Sequence, residues 1–300
     1  MEFGKVTEIQ GIDWQIPPDD PQNEGRFSIN ETSSRVYIGG TAWGTKAWVG
    51  KLYPQKTRPE EFLSYYAKNF NCIELNASHY KIPDAATIES WLESVPAGFK
   101  FCPKLHKDIS HSRWGLLDPS LLKAWTVFLE GLKEARGPCF IQFHENFSYE
   151  EKNFLFRFIE QWPSEFELSI ELRHKSWFDD HKILSALTDY LFGKKVGLVT
   201  TDVAGRRDVL HTSITTDRTM LRLIGHNLDI SDQTRLTDWS NRIKSWHGMG
   251  VRNSYIFLHQ PDDKMTPEFA LLAEKTFSDG HFEGVPHLEF IKERDLFNQE

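Results

Sequence analysis

Two short stretches each set a carboxylate two residues ahead of a second polar group inside an otherwise apolar run: Cys72-Ile-Glu-Leu-Asn76 and Ser169-Ile-Glu-Leu-Arg173. Glu74 and Glu171 have the chemistry of general acids or bases, and Arg173 that of a bidentate clamp on carboxylate or phosphate oxygens. Comparable polar residues end other apolar runs: Lys104 after Phe99–Pro103, Gln142 and His144 after Cys139–Ile141, Asp202 after Val196–Val199, Arg222 within Thr219–Leu223 and His259 after Tyr255–Leu258. Side chains of a strand alternate between its two faces. If Ile73, Leu75, Ile170 and Leu172 face one side, then Glu74, Asn76, Glu171 and Arg173 face the other. The same alternation is expected to send Lys104, Gln142, His144, Asp202, Arg222 and His259 that way too. Burying ionisable groups near the ends of seven strands is costly unless they pair, meet water or receive a ligand. One such group alone reads equally well as a satisfied core ion; their convergence points to a cleft.

The elements that would position these groups alternate along the chain. Strands are expected at 36–39, 72–76, 99–104, 139–144, 168–173, 196–202, 219–223 and 254–259. Helices are expected near 59–70, 84–93, after Asp118-Pro119, after Ser148-Tyr-Glu-Glu151, near 180–191 and 233–247, and from Thr266-Pro267. Thr57-Arg-Pro-Glu60 offers a capping box with an early proline, and Phe62, Tyr65, Tyr66 and Phe70 recur at helical spacing. Strands separated by helices pair in parallel through crossovers. Eight of them, with no glycine-rich dinucleotide loop after the first, favour an α/β fold of the single (β/α)8 TIM-barrel type. Between 203 and 218 no helix is evident. Residues 1–34, with Pro17, Pro18 and Pro21 and little periodicity, read as an N-terminal extension that either drapes over the barrel or stays loose. The barrel spans 35–290, and 291–300 form a C-terminal tail.

Composition bounds the rest. The chain of 300 residues carries a net charge of −8, which gives no global attraction to nucleic acid or an anionic membrane. No apolar run is long enough to span a bilayer, the first residues lack a signal core, and three separated cysteines suit reduced thiols, so a cytoplasmic location is expected. Among 10 tryptophans, Trp43 and Trp48 follow the first strand and Trp177 the fifth, while Tyr80 follows the second; each either packs the barrel mouth or stacks on a ligand.

The segment Ile38–Pro54 (IGGTAWGTKAWVGKLYP), together with Phe70–Pro83, the Trp91…Pro96–Phe101 segment and Ile170–Phe178, resembles the YecE-like family, a domain of unknown function, over roughly residues 36–278. The resemblance implies a TIM-type barrel similar in architecture to the endonuclease-IV and xylose-isomerase group, with no established activity. Positions matching family motifs are Trp43, Trp48, Glu74, Asn76, Tyr80, Lys104, Glu171, Arg173, Trp177 and Asp202. The chain departs from the pattern at Phe257–Pro261, where the family often carries paired asparagines, and at Arg222–His226, where Arg-x-His-Gly is usual.

No serine-nucleophile elbow, phosphate loop, zinc helix or dinucleotide fingerprint is present. The expected site therefore holds Glu74, Glu171 and Asp202 as catalytic carboxylates. Trp43, Trp48, Asn76, Tyr80, Lys104, Gln142, Arg173, Trp177, Arg222 and His259 are the expected substrate contacts. Three readings remain open. One is a hydrolase or nuclease-like enzyme acting on a phosphate-bearing ligand or on single-stranded or damaged nucleic acid. Another is a sugar isomerase or a two-carboxylate glycosidase. The third is a small-anion binding protein without turnover. Glu74, Glu171, Asp202 and His259 are suitable donors for a divalent metal, although Arg173 and Arg222 compete for the same carboxylates. No cofactor is required by the sequence.

Overall fold

A computed structural model describes residues 3–28, 34–112 and 115–291. β1 (Arg35–Gly39) leads by a long loop to α1 (Phe62–Asn69), β2 (Cys72–Leu75) to α2 (Ala85–Ser94), and β3 (Lys100–Pro103) to the single turn α3 (Lys107–Ser110) and then α4 (Pro119–Gly131). β4 (Cys139–Gln142) leads to α5 (Lys152–Gln161) and β5 (Leu168–Glu171) to α6 (His181–Lys194). β6 (Gly197–Leu198) and β7 (Thr200–Asp202) are two halves of one strand interrupted at Val199. β8 (Arg218–Ile224) leads to α7 (Ile230–Gly248), and β9 (Asn253–His259) to α8 (Thr266–Asp279).

Every strand pair is parallel, in the orders β1-β9-β8-β7, β2-β3 and β4-β5-β6. The joints between these sheets are isolated bridges and lone backbone hydrogen bonds. Lys104 bridges to Phe140 beside β3 and β4, and the Glu74 N–H donates to Gly40 O (3.1 Å), tying β2 to the end of β1. The strands thus follow one another around a ring with helices outside, the (β/α)8 arrangement. Gly39 makes the β1–β2 joint possible, because a Cβ there would lie 2.1 Å from Cys72 O.

The alternation of side chains divides the core in two. Tyr37, Cys72, Cys102, Phe140, Val199, Met220, Tyr255 and Phe257 form the barrel interior. Their neighbours Val36, Ile38, Ile73, Leu75, Ile141, Ile170, Leu198, Leu223, Ile256 and Leu258 belong to the larger cluster under the helices. The three cysteines are buried free thiols. No helix among the described residues is long and apolar enough to cross a membrane.

Local signals are partly displaced from their expected places. Asp118 does cap α4, accepting from Ser120 N and Leu121 N, with Pro119 in the first turn. The capping box expected from Thr57 and Glu60 instead lies one residue on. Glu61 accepts from Arg58 N (3.0 Å), and the Thr57 hydroxyl donates back to Pro54 O. Ser148 makes no side-chain cap, and the Tyr149 N–H donates instead to Ser176 Oγ on a neighbouring loop.

The gap after β7 explains the N-terminal extension. Among the described residues no α-helix lies between β7 and β8, and the strip His211–Thr216 there is buried all the same. Its cover is the extension itself. Asn23 donates to Thr212 O (2.7 Å) and accepts from Ile214 N (2.8 Å), while Thr212 donates to Pro18 O (2.7 Å). On one side Gln22 and Arg26 reach Ser185 and Asp189 of α6; on the other, Asp19 accepts from Trp246 and pairs with Arg242 of α7. The extension therefore stands in the helical layer where the sixth strand has no helix. Residues 292–300, most of the expected tail, lie outside the described residues.

Candidate active site at the barrel mouth

Glu74 and Asn76 leave β2, Lys104 follows β3, Gln142 ends β4, Glu171 and Arg173 close β5, Arg222 sits on β8 and His259 ends β9. All point to the C-terminal mouth and form one chain of bonds. Arg222 is its centre. It grips Glu74 with two N–H groups, Nε to Oε2 (2.8 Å) and Nη2 to Oε1 (2.9 Å), and reaches Glu171 Oε2 with Nη1 (2.8 Å). Asn76 donates to Glu74 Oε1 (2.9 Å), and His259 Nε2 lies 2.9 Å from Glu74 Oε2. Glu171 also accepts from Arg173 Nε (2.7 Å) and Gln142 Nε2 (2.9 Å), and Lys104 Nζ donates to Gln142 Oε1 (2.8 Å). The guanidinium of Arg222 lies over the Phe140 ring at 5.7 Å, so the ring of ions rests on an apolar floor.

Electrostatics follows from this packing. Burial alone would raise the Glu74 pKa, but Arg222 and His259 hold it well below the ordinary range. Glu171 is likewise opposed by burial and brought down to about 2 by Arg173 and Arg222. Burial and then the charge of Arg222 outweigh both glutamates at Lys104, whose ammonium titrates at about 8. Burial lowers His259, with the Arg222 charge adding to it against the pull of Glu74. Among the described residues of the ring, three cations thus face two carboxylates, an excess of one positive charge in a low-dielectric site.

These shifts carry a stability consequence. Carboxylates with depressed native pKa values stabilise the fold fully above their unfolded value and lose that contribution as pH falls through the native one. For Glu171 this window runs from 4.5 down to about 2. The melting temperature should therefore fall through that range, and Glu171→Gln should flatten the fall. Equal slopes in the two proteins would contradict the assignment.

A cavity of about 610 Å3 opens above the ring, lined by Glu74, Asn76, Tyr80, Lys104, Gln142, Arg222 and His259 together with Phe3–Thr7. The extension that fills the helical layer thus also reaches the mouth with its tip. Arg173 and Arg206 stack on the Phe3 ring at 4.2 and 4.7 Å, and Gly205 N donates to Gly4 O. Gly4 has φ 67°, and a Cβ there would meet Val203 at 2.7 Å, so glycine is what lets the tip lie flat. The loop after β8 also borders the cavity. It is fixed by Asp232 of α7, which accepts from His226 N, Leu228 N and Gln260 Nε2. Neither feature was visible in the sequence: Phe3 lies in a segment without periodicity, and Asp232 looks like any acid in a first helical turn.

Other expected site residues lie elsewhere. Asp202 does not face the mouth. Leu198 lies under the helices and Val199 inside the barrel, so the alternation carries Asp202 outward. There it pairs with Arg235 and Arg207 and accepts from Trp239 Nε1 (2.7 Å). Trp48 is buried against Tyr66 and Phe70 and donates to Asp263 O, and Trp177 is buried against Phe147 and donates to Phe147 O. Both are core, not stacking surfaces. Trp43 packs edge-on against Trp91, whereas Tyr80 is 70% exposed at the cavity rim. His144 is exposed, its ring edge-on to His111.

The donor set does not suit a metal. Asp202 is turned away, and Arg222, Arg173, Asn76, Gln142 and His259 occupy the oxygens of Glu74 and Glu171. Among the described residues no group of three His, Cys, Asp or Glu is arranged to hold an ion.

The class of molecule is then a (β/α)8 barrel with a polar, net positive mouth. Residues 37–283 match the model of the family described as protein of unknown function DUF72, and the chain belongs to that family. UPF0759 protein YecE of Escherichia coli (strain K12) is 26% identical over 251 residues, covering 78% of this chain and 89% of that protein. UPF0759 protein YunF of Bacillus subtilis (strain 168) is 27% identical over 48% of this chain and 52% of its own length. A solved DUF72 family protein from Enterococcus faecalis V583 superposes with a TM-score of 0.67 at 17% identity, covering 81% of this chain and 95% of that one. That likeness concerns the fold.

Proposed function

We propose that the barrel mouth binds a small anionic molecule bearing a phosphate or carboxylate group, and that any turnover occurs on that molecule. The observation that carries this reading is the unbalanced positive charge of the ring beneath a cavity of about 610 Å3. Within a hydrolase reading, Glu74 and Glu171 serve as anchors for Arg222, and proton transfer falls to Lys104 and His259. A two-carboxylate glycosidase fits poorly, because the Arg222 guanidinium occupies the gap between the carboxylates where a scissile bond must lie. A polynucleotide fits poorly as well: the net charge is −8, and the Phe3–Thr7 segment lies along the mouth.

Thermal-shift measurements with inorganic phosphate, sugar phosphates, nucleoside monophosphates and a single-stranded oligonucleotide test the reading. A fitting ligand at a hundred times its Kd should stabilise the fold by about 2.7 kcal/mol. Lys104→Met should remove most of that gain. The affinity should weaken as pH rises through about 8, where Lys104 loses its charge. Stabilisation by the oligonucleotide alone would favour nucleic acid, and no response to any anion would remove the proposal.

A further inference from the structure

We propose that Lys104 captures carbonyl compounds, forming a Schiff base through Nζ with a small molecule that carries a phosphate or carboxylate beside its carbonyl. This rests on the anion-binding reading of the same mouth and adds a covalent step to it.

The argument begins with what holds the amine. Lys104 Nζ lines the cavity and donates to Gln142 Oε1 at 2.8 Å. Among the described residues it has no carboxylate within the 4.0 Å of an ion pair, whereas Lys51, Lys194 and Lys264 each have one. The difference matters chemically. A carboxylate partner favours the ammonium form, which has no lone pair; an amide oxygen accepts from –NH3+ and –NH2 alike. Burial first, and then the fixed positive charge of Arg222 locked between two glutamates, disfavour a charge on the lysine. With the ammonium titrating at about 8, roughly a tenth of the molecules carry the free amine at neutral pH. Gln142 is itself held by Glu171, so the amine is aimed by a chain of fixed groups.

The step balances without any further reagent. The Nζ lone pair attacks the carbonyl carbon while the C=O π pair moves to oxygen. A proton passes from nitrogen to that oxygen by way of solvent, giving the carbinolamine. The nitrogen pair then expels the oxygen as water after it takes one more proton from solvent, leaving C=NH+. Amine, carbonyl and one proton become iminium and water. The iminium carries the same charge as the ammonium it replaces, so the ring of ions keeps its balance, and the excess positive charge favours a substrate with an anionic group.

Pyridoxal 5′-phosphate is a suitable probe, since it carries an aldehyde and a phosphate and its imine absorbs visibly. The full-length protein is mixed with one equivalent, reduced with borohydride and mapped by peptide mass spectrometry, with pyridoxal as the uncharged control. Inorganic phosphate stabilisation is measured on the same sample. Labelling of Lys104 should exceed that of any other lysine at least tenfold, should be suppressed by inorganic phosphate, and should quicken as pH rises through about 8. Anion binding is expected to weaken over that same rise. Lys104→Arg and Lys104→Met, checked for native melting, should both lose the label. Label spread evenly over lysines, an unlabelled Lys104, or equal capture of pyridoxal overturns the proposal. If phosphate still stabilises the protein in those cases, only the covalent step is lost; if it does not, the anion pocket fails with it.

Discussion

Arg222→Met should destabilise the barrel by on the order of 3–5 kcal/mol, the cost of leaving the buried Glu74 without its arginine partner. Arg222 is 1% exposed and contacts both buried glutamates, so its removal leaves two carboxylates facing one another over the Phe140 ring. Neither can recover its hydration, and one is expected to take up a proton. Glu171→Gln in the Arg222→Met background should therefore cost much less than it does alone, a non-additivity that a double-mutant cycle in urea would measure. Arg222→Lys keeps the charge but loses the fork that grips Glu74 with two bonds, and should fall between the two. An Arg222→Met protein within about 1 kcal/mol of the parent would show that the ring does not hold the mouth together.

The second large effect lies at the other end of the chain. Asn23 is fully buried, and its amide satisfies Thr212 O and Ile214 N, two backbone groups of a strip that has no helix over it. Asn23→Ala leaves both without partners, at about 1–3 kcal/mol for each unsatisfied group. Deleting residues 1–28 should be more damaging, since it also strips the facing sides of α6 and α7 and uncovers the buried His211–Thr216 segment. The expected outcome is a protein that melts well below the parent or aggregates. A truncated chain that unfolds at the parent's urea midpoint would mean that the extension is an ornament and not a wall of the barrel. Phe3→Ala offers a milder comparison: it removes the ring under Arg173 and Arg206 while leaving the wall in place, so it should alter ligand response at the mouth more than stability.

Much of the barrel was legible because its signals are local. Alternation within Cys72–Asn76 and Leu168–Arg173 is set by strand geometry, and the aliphatic residues there leave the polar ones a single direction. Asp118-Pro119 opens α4 for equally local reasons of capping and fixed φ. The errors arose where one local pattern admitted two partners. Thr57 and Arg58 both precede a glutamate three residues on, and only the turn at Pro54 decides which forms the box. Strand six is interrupted at Val199, and Asp202, expected at the mouth, shares the outward parity of Leu198.

The sequence alone was enough to indicate eight parallel strands, from their alternation with helices, and which residues of β2, β5 and β8 turn inward, from the period of two in the backbone. It could not determine that Arg222 stands between Glu74 and Glu171, that Trp48 and Trp177 sink into the core, or that residues 18–26 stand where a helix is missing. Each of these depends on contacts between segments far apart in the chain, whose distances are set only when the strands close around a common axis. Side-chain direction is a property of neighbours in sequence; partnership is a property of neighbours in space.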